Sequence, residues 1–360
     1  MQRKEKIIFI LKSSKKYFIA FGVALALISI VKLFSYSVSD SLSDVDYQDY
    51  FNASYKTFSV RIPKNLNFAG EKTPITDFSV REATERELIV NTYWQSQSLL
   101  LHKRANRWFP IIEPILEKNG IPSDFKYIAL IESQLTNAVS PQGATGFWQI
   151  IESTGTGYGM EITEEVDERY HVVKSTEVAC KYFKEAYKNF NNWTLVAASY
   201  NLGMGGIQGQ LAKQKVSSYY DLAVTEETAR YVYRILAMKE IISRPKVYGY
   251  MLRKKDLYPS IPTKKITVDS TISNLADFAI DQGINYKILK LFNPWLRTNS
   301  LTNSGNKKYT IEIPKGSMNI YDMDGNYDGS NKLTPTDSVN LITTSPLLND
   351  SIRKEEIIKE

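Results

Sequence analysis

The sequence is poor in the residues that form disulfides and soft-metal sites. Its 360 residues include one cysteine, Cys180, and two histidines, His102 and His171. A single cysteine cannot close a disulfide within the chain, and a zinc site built on Cys and His needs more ligands than these three residues supply. We therefore predict no metal ion and no cofactor. Cys180 lies in a helical pattern and is expected to be a buried thiol.

The chain also lacks a dense stripe of Lys and Arg with aromatic residues between them. The net charge is +6 and the isoelectric point is about 9.0, which favours surroundings such as nucleic acid, a membrane surface or an anionic cell-wall polymer. Without the stripe we predict no nucleic-acid partner. The hydrophobic fraction of 43% and the charged fraction of 23% are those of a globular protein, and the length suits two domains.

One long hydrophobic run lies near the N-terminus. It covers 17–31, follows six basic residues and is interrupted at Lys32. This pattern predicts membrane insertion with the N-terminus in the cytoplasm. The run is slightly shorter than the roughly 20 residues that span a bilayer, so a cleaved signal peptide is the alternative to the anchor that we expect. In both cases the remaining chain lies in the cell envelope, in the periplasm or otherwise outside the cytoplasmic membrane.

Composition divides the chain into five segments. Residues 1–40 hold the basic segment and the anchor or signal, and 41–76 form a polar spacer that becomes ordered towards its end. Helical patterns with almost no strand signals occupy 77–245, which we predict to be an α-helical domain. In 246–315, strand-like alternations surround two short helices, a β-α-α-β unit. The tail, 316–360, is rich in Asn, Asp, Ser and Thr and is expected to be disordered.

Local signals predict where the elements begin and end. Ser79 and Glu82 resemble a capping box, which predicts a helix starting at Val80. The glycine-rich segment 201–206 is expected to end the helix before it, and Gly143, Gly146, Gly203 and Gly205 are expected to adopt unusual dihedrals. Apolar periodicity predicts helices at 80–107, 111–118, from 122 onward, 175–190, 193–200 and 225–242. Strands are expected at 265–268 and 309–313, with helices at 272–278 and 286–291.

Glu132 is the anomaly in this pattern, because it falls on the apolar face of its helix. It follows Ile128 by four residues and precedes Leu135 by three, whereas Lys126 points elsewhere. Burying an isolated carboxylate costs several kcal/mol, so such a group is either paired or held neutral. A neutral Glu with a raised pKa is what a glycosidase general acid requires. The other reading is a structural Glu tied to a distant cation or a backbone amide.

A glycosidase of the common kind needs a second carboxylate. Glu152 and Glu161 are the candidates, although neither falls on an obviously buried face. If Glu132 works alone, the acetamido carbonyl of the substrate itself can stabilise the cationic sugar centre. That route implies a polymer of N-acetylated amino sugars.

Three separated motifs in this region resemble a known family. They are Ala129-Leu-Ile-Glu132-Ser133 with Ser140-Pro-Gln-Gly143-Ala-Thr-Gly146-Phe-Trp-Gln149, then Ala198-Ser-Tyr200-Asn201-Leu-Gly203, then Glu227-Thr-Ala-Arg-Tyr231-Val. Together they are similar to the signature of the lytic murein transglycosylases with a goose-lysozyme-like domain. The arrangement most resembles the membrane-bound D-type enzymes, which carry C-terminal LysM units. The resemblance implies a mainly α fold: a lysozyme-like helical catalytic domain followed by a small β-α-α-β LysM-like module.

The resemblance also implies roles for individual residues. Glu132 would be the catalytic acid/base that cleaves the bond between N-acetylmuramic acid and N-acetylglucosamine, leaving a 1,6-anhydromuramoyl end. Phe147 and Trp148 would supply apolar walls of the sugar cleft. The other residues assigned to substrate binding are Ser133, Ser140, Gln149, Tyr200, Asn201, Glu227 and Tyr231. Core packing explains Trp148 equally well, and helix capping explains Glu227 equally well.

The sequence departs from the family pattern in several places, among them the Phe147-Trp148 pair and a spacing from Glu132 to Ser140 that is one residue shorter than in many relatives. Leu202 replaces the usual Ala and is expected to narrow the cleft, and Asp269-Ser-Thr stands near the place of the usual Gly-Asp-Thr opening of a LysM unit. The expected partners are peptidoglycan glycan strands and, through the N-terminal segment, the membrane, with the protein a monomer. The alternatives are a muramidase on the same fold, or a catalytically silent scaffold that binds the wall.

Overall fold

The computed structural model describes residues 43–54, 57–316, 318–322 and 325–327. The expected anchor in 1–40 and most of the expected disordered tail lie outside these residues. Within the described ranges, no helix combines the length and the apolar character needed to cross a membrane.

The described part of the chain is mainly helical up to Ser243 and mixed beyond it. Its helices are α1 (Asp44–Ser54), α2 (Phe78–Tyr93), α3 (Gln95–Lys118), α4 (Lys126–Ser133), α5 (Glu152–Gly157), α6 (Val172–Phe190), α7 (Trp193–Leu202), α8 (Met204–Gln214), α9 (Glu226–Ser243), α10 (Leu275–Asp281) and α11 (Tyr286–Phe292). Its strands are β1 (Asn67–Phe68), β2 (Glu71–Lys72), β3 (Thr263–Val268) and β4 (Tyr309–Pro314).

Helix α2 starts two residues before the predicted position. Asp77 is the N-cap, and its carboxylate accepts hydrogen bonds from the backbone N–H of Ser79 and of Val80. The predicted capping box of Ser79 and Glu82 is therefore wrong. An Asp at the N-cap satisfies the same exposed donors and has its charge next to the positive end of the helix dipole.

Helix α3 is continuous where two helices were predicted. Pro110 and Pro114 both lie inside it, and the predicted break at 107–111 is wrong. Each proline removes one backbone hydrogen bond. Burial of Phe109, Ile112 and Leu116 on one face keeps the helix intact through both positions. The real break lies earlier, at Trp94, which ends α2.

The glycine-rich segment after α7 starts a new helix, α8, which the sequence did not predict. Gly203 joins the two helices with φ of 80°, a conformation that favours glycine. Gly143 and Gly146 have φ of 78° and 79°, as predicted. Gly205 instead lies within α8, so the expectation of an unusual dihedral there is wrong.

Aromatic rings pack at the centre of the helical region. The ring of Phe125 lies between those of Phe68 and Phe183, with centroid separations of 5.0 and 4.5 Å. Phe68 lies in β1 and the almost fully buried Leu66 directly precedes this strand, so the end of the polar segment before residue 77 contributes to the main core. Cys180 is fully buried in the same core, as predicted, and burial raises the pKa of its thiol to about 12.

The C-terminal unit has the predicted β-α-α-β order. Strands β3 and β4 pair antiparallel, with Thr263 opposite Pro314 and Val268 opposite Tyr309. Helices α10 and α11 pack on this ribbon and bury a separate core, which includes Leu275, Leu289 and Ile311. The mainly α fold with a small mixed C-terminal unit is thereby confirmed.

Candidate active site

A cleft of about 460 Å³ lies where the end of α4 meets the loop 140–151, α6, α7 and the start of α9. Six of the eight residues predicted for the site line it: Glu132, Ser140, Gln149, Tyr200, Asn201 and Glu227. These residues are up to 95 positions apart in the sequence, from 132 to 227, and the fold brings them to one surface.

Glu132 is the second-last residue of α4, and the chain turns sharply behind it. Gln134 and Leu135 have φ of 58° and 55°, so two consecutive non-glycine residues adopt the left-handed conformation. This costs about 1–2 kcal/mol per residue. Ser133 holds the turn, because its hydroxyl oxygen lies 2.8 Å from the carbonyl oxygen of Phe147 and 3.1 Å from that of Ala129, and its one hydrogen is donated to this pair of acceptors. Backbone strain of this kind is concentrated at functional sites in proteins.

The environment of Glu132 favours the protonated acid. Burial raises the pKa of its carboxyl from 4.5 to about 7. The Tyr231 hydroxyl donates a hydrogen bond to Glu132 Oε1 and lowers the pKa, while the nearby charge of Glu227 raises it and that of Arg234 lowers it. In the part of the chain that the structure describes, no Lys or Arg forms an ion pair with Glu132. The hydrogen-bonding partner of Glu132 is thus a phenol, and within the described residues neither an ion pair nor a backbone N–H holds its carboxylate, as a purely structural role would require.

Two tyrosines flank the carboxyl group, one partly buried and one fully buried. Tyr200 lines the cleft and donates from its hydroxyl to the carbonyl oxygen of Trp148 at 2.7 Å. Tyr231 is 3% exposed and lies behind Glu132. Burial holds the pKa of both phenols well above the usual value, so both remain protonated donors.

The side chain of Asn201 is fixed at both ends. Its Nδ2 donates to Glu227 Oε1 at 3.2 Å, and its Oδ1 accepts from Thr228 Oγ1 at 2.7 Å. This network defines which end of the amide carries the donors. Glu227 lies in the first turn of α9 and is exposed to solvent, so it both faces the cleft and sits at the favourable end of the helix dipole.

Ser140 and Gln149 lie at opposite ends of one short loop. Ser140 Oγ accepts from the backbone N–H of Ala144 at 3.0 Å. Gln149 donates from Nε2 to the carbonyl oxygens of Ala138 at 3.0 Å and Gly146 at 2.8 Å. Both amide hydrogens of Gln149 are used inside the loop, so its Oε1 is the atom available to a ligand that donates.

The structure places several predicted residues behind the cleft and not on its surface. Ser133 and Tyr231 are absent from the lining and reach the site only through the contacts given above. Phe147 and Trp148, expected as apolar walls, are 3% and 0% exposed and belong to the main core. Trp148 Nε1 donates to Thr176 Oγ1 at 2.8 Å, so even its polar atom is satisfied internally.

Neither expected second carboxylate lies in the cleft. Glu152 is not in the lining, and Glu161 contacts Tyr309 of the C-terminal unit at 2.9 Å. The carboxylates of the lining are Glu132 and Glu227.

Sequence reasoning missed cleft residues in α6 and in the adjoining loops. Tyr182 lines the cleft together with Val178 and Ala179, and its hydroxyl donates to the carbonyl oxygen of Ser199 at 2.6 Å. The signal was present, because 178 and 182 lie one helical turn apart on α6. Gln142 and Thr154 also line the cleft, and nothing in the periodicity of these irregular segments distinguishes them.

Two family models match the chain. The model of the transglycosylase SLT domain matches 109–222, which contains Glu132 and most of the cleft. The model of the soluble lytic transglycosylase C-terminal LysM-like domain matches 264–317. The chain carries an SLT domain and a LysM-like domain. The predicted family resemblance is confirmed for both regions.

Curated relatives resemble part of the chain. Over 242 residues the chain is 30% identical to the membrane-bound lytic murein transglycosylase D of Escherichia coli (strain K12), covering 66% of this chain and 52% of that protein. It is 29% identical over 106 residues to a putative tributyltin chloride resistance protein of Alteromonas sp. (strain M-1), covering 29% of this chain and 51% of that one. The chain therefore spans about half the length of the curated relatives it matches.

Among solved structures, the 70 kDa soluble lytic transglycosylase SLT70 from Escherichia coli resembles the chain. The two are 14% identical with a TM-score of 0.36, over 66% of this chain and 47% of that one.

The raised pKa of Glu132 makes the stability of the SLT domain depend on pH, and substitution of this residue removes that contribution. The folded state binds this proton more tightly than the unfolded state, so wild-type stability falls as pH rises from about 4.5 to about 7. Glu132→Gln cannot ionise, and we expect it to exceed the wild type in unfolding free energy by about 3 kcal/mol at about pH 8 and to match it at about pH 4. Urea denaturation at several pH values measures both. A difference that does not change with pH would contradict the raised pKa.

Proposed function

We propose that the chain is a lytic transglycosylase that cleaves the β-1,4 bond between N-acetylmuramic acid and N-acetylglucosamine in peptidoglycan, with Glu132 as the single acid/base. The observation that carries this proposal is a carboxyl group in an open cleft whose pKa is raised to about 7 and whose polar partner is the Tyr231 hydroxyl. Such a group is about half protonated at neutral pH and largely protonated below it, so it is able to donate its proton.

The proposed reaction uses Glu132 twice. The protonated carboxyl first donates its proton to the glycosidic oxygen as the bond from C1 of muramic acid to that oxygen breaks. The carbonyl oxygen of the substrate's acetamido group stabilises C1 in the meantime. The Glu132 carboxylate then takes the proton of the C6 hydroxyl, and O6 forms a bond to C1. The proton returns to Glu132, no water is consumed, and the product ends in a 1,6-anhydro sugar.

The cleft offers groups for orienting the sugar. Asn201, which is fixed by Thr228 and Glu227, presents its side-chain amide to the cleft from the C-terminal end of α7. Tyr200 is a protonated phenol beside the reacting carboxyl, and Gln149 offers a carbonyl oxygen. We assign these three residues, with Ser140 and Glu227, to binding of the sugar. Ser133 and Tyr231 instead position Glu132.

We further propose the arrangement of the whole chain in the envelope. Residues 1–40 would form the membrane anchor or signal, 41–76 the spacer, 77–245 the catalytic domain, 246–315 the LysM-like module and 316–360 the disordered tail. The name of the Escherichia coli relative, a membrane-bound enzyme, supports a place at the cell envelope. In this proposal the protein works as a monomer on glycan strands, without nucleic acid, metal or cofactor.

The direct test of the proposed activity is digestion of purified peptidoglycan with the purified chain. We expect soluble fragments whose masses show 1,6-anhydromuramoyl ends. Fragments with reducing ends would identify a muramidase. Absence of fragments, with the protein sedimenting with the insoluble wall, would identify a silent scaffold.

Tyr231→Phe is expected to shift the pH profile of this activity. The Tyr231 hydroxyl favours the carboxylate of Glu132, so its removal raises the pKa of that carboxyl further. Activity that needs the protonated acid is present below this pKa and lost above it, so the alkaline limb of kcat/KM moves to higher pH. A profile that falls in height without moving would show that Tyr231 does not control the proton of Glu132. Tyr182→Phe is the control, because that hydroxyl bonds to Ser199 instead.

A further inference from the structure

Residues 161–171, here named the bridge segment, contact both the LysM-like domain and the loop that lines the cleft. The segment lies between α5 and α6 and contains one short helical turn at Glu168–Tyr170. The proposed chemistry assigns no role to any of its residues.

The backbone of the bridge segment is paired with the LysM-like domain. Val166 forms an antiparallel bridge with Leu296. The N–H of Asp167 donates to the carbonyl oxygen of Trp295 at 2.9 Å, and the N–H of Arg297 donates to that of Glu165 at 2.8 Å. The two parts of the chain thus share a stretch of strand-like pairing.

Side chains reinforce this pairing on both sides. Glu165 accepts hydrogen bonds from the backbone N–H of Thr302 at 2.7 Å and from the hydroxyls of Ser300 and Thr302, each at 3.1 Å. These bonds, chiefly that of the Thr302 N–H, hold the pKa of Glu165 below its usual value. Val166 and Tyr170 are buried in the same core cluster as the LysM-like domain. The bridge segment is therefore joined to the LysM-like domain in two ways: its backbone pairs with that domain, and two of its side chains are buried in that domain's core.

Arg169 faces the other way, towards the cleft loop. Its Nη1 donates to the carbonyl oxygens of Gly143 at 3.1 Å and Ile150 at 3.4 Å. The guanidinium is held by Asp167 through Nε at 3.0 Å and Nη2 at 2.8 Å. Both side chains are about 10% exposed, so this pair is desolvated and its geometry is fixed by two parallel hydrogen bonds.

The backbone of the bridge segment also lies directly against the loop. A Cβ at Gly146 would lie 2.1 Å from the carbonyl oxygen of Arg169. The loop 140–150 is thus held at its middle by backbone contact and at both sides by the Arg169 guanidinium. This is the loop that carries Ser140 and Gln149 into the cleft.

We propose that the LysM-like domain positions the catalytic cleft: it holds the bridge segment, and Arg169 of the bridge segment holds the loop 140–150 in its working geometry. Arg169 is a positioning residue that acts through this loop. The predicted effect on turnover rests on the proposed function. The predicted positioning of the loop does not depend on that function. A binding site displaced by about 1 Å can lose on the order of a hundredfold in rate, so the coupling has a measurable consequence.

A LysM-like domain that only tethers the chain to glycan makes a different prediction. Weakening its contact with the bridge segment would then change the KM for polymeric peptidoglycan and leave kcat unchanged. A short soluble glycan fragment that fills the cleft alone would be cleaved as before. The kcat for short fragments therefore distinguishes a positioning role of the LysM-like domain from a tethering role.

The experiment compares Glu165→Ala with Asp281→Ala in the full chain. Glu165→Ala removes three hydrogen bonds across the contact, whereas Asp281→Ala removes the same charge from an exposed position at the end of α10. We expect amide hydrogen exchange in 140–150 to rise about tenfold in Glu165→Ala only, with α6 unchanged. We expect kcat on short fragments to fall about tenfold, with KM nearly unchanged.

Three results would overturn the proposal. These are unchanged exchange in the loop, a uniform rise in exchange over the whole chain, and a rise in KM on the polymer with kcat on short fragments intact. Because hydrogen exchange needs no substrate, a chain without transglycosylase activity would refute the proposed function and still give a definite answer on the coupling.

Discussion

Glu132→Gln is expected to lower the rate of fragment release from peptidoglycan by about a thousandfold or more. The amide keeps the shape of the side chain and can still accept from Tyr231, but it has no proton to give to the glycosidic oxygen. It also cannot take the proton of the C6 hydroxyl. Both halves of the proposed reaction fail in the same variant, and chromatography of the released fragments measures the loss.

Glu227→Gln is the matched control, since it changes the second carboxylate of the same cleft. Glu227 is exposed and bonds to Asn201, so its loss disturbs sugar binding and the pKa of Glu132 without removing the acid. We expect a fall of about tenfold. Equal losses in the two variants would mean that the chemistry does not depend on Glu132 alone. We expect the circular dichroism spectra of both variants to match that of the wild type, which would show that both remain folded.

Gly146→Ala is expected to destabilise the fold by about 4 kcal/mol or more. The new Cβ would lie 2.1 Å from a backbone oxygen, that of Arg169, which cannot rotate away. The residue would also be held at φ of 79°, which side chains rarely adopt. Chemical denaturation measures the loss, and failure to obtain soluble protein agrees with it.

Gly143→Ala separates the two contributions. Gly143 has nearly the same φ, 78°, in the same loop, but nothing lies within 4 Å of a Cβ placed there. It carries the cost of the left-handed backbone alone, about 1 kcal/mol. If both variants lost the same stability, the close contact of the bridge segment with the loop would not exist in solution.

The sequence was most informative where a local rule was broken. A carboxylate on an apolar helix face indicated Glu132, and the motifs around it indicated Ser140, Gln149, Tyr200, Asn201 and Glu227, all of which line one cleft. Local rules failed where tertiary contacts compensate. Prolines 110 and 114 do not break α3 because its buried face is packed, and Gly203 joins two helices where the glycines suggested a loop.

Contacts between distant residues could not be predicted from one sequence. The hydrogen bond from Tyr231 to Glu132 joins residues 99 positions apart, and periodicity gives no information on which helix faces which. The contacts of the LysM-like domain with Glu165 and Val166 also join residues that are far apart in the sequence, and periodicity does not predict them either. The buried position of Trp148 is a third case, because a tryptophan in such a motif can equally well line the cleft or pack in the hydrophobic core.

The central claim, that Glu132 acts as acid and base for a reaction without water, is tested most directly by digestion in ¹⁸O-labelled water. The newly formed muramic acid ends are then examined by mass spectrometry, with Glu132→Gln run in parallel. The account predicts 1,6-anhydro ends that carry no ¹⁸O and are absent with the variant. Reducing ends that carry ¹⁸O would contradict it, because they would mean that Glu132 activates water in a hydrolase.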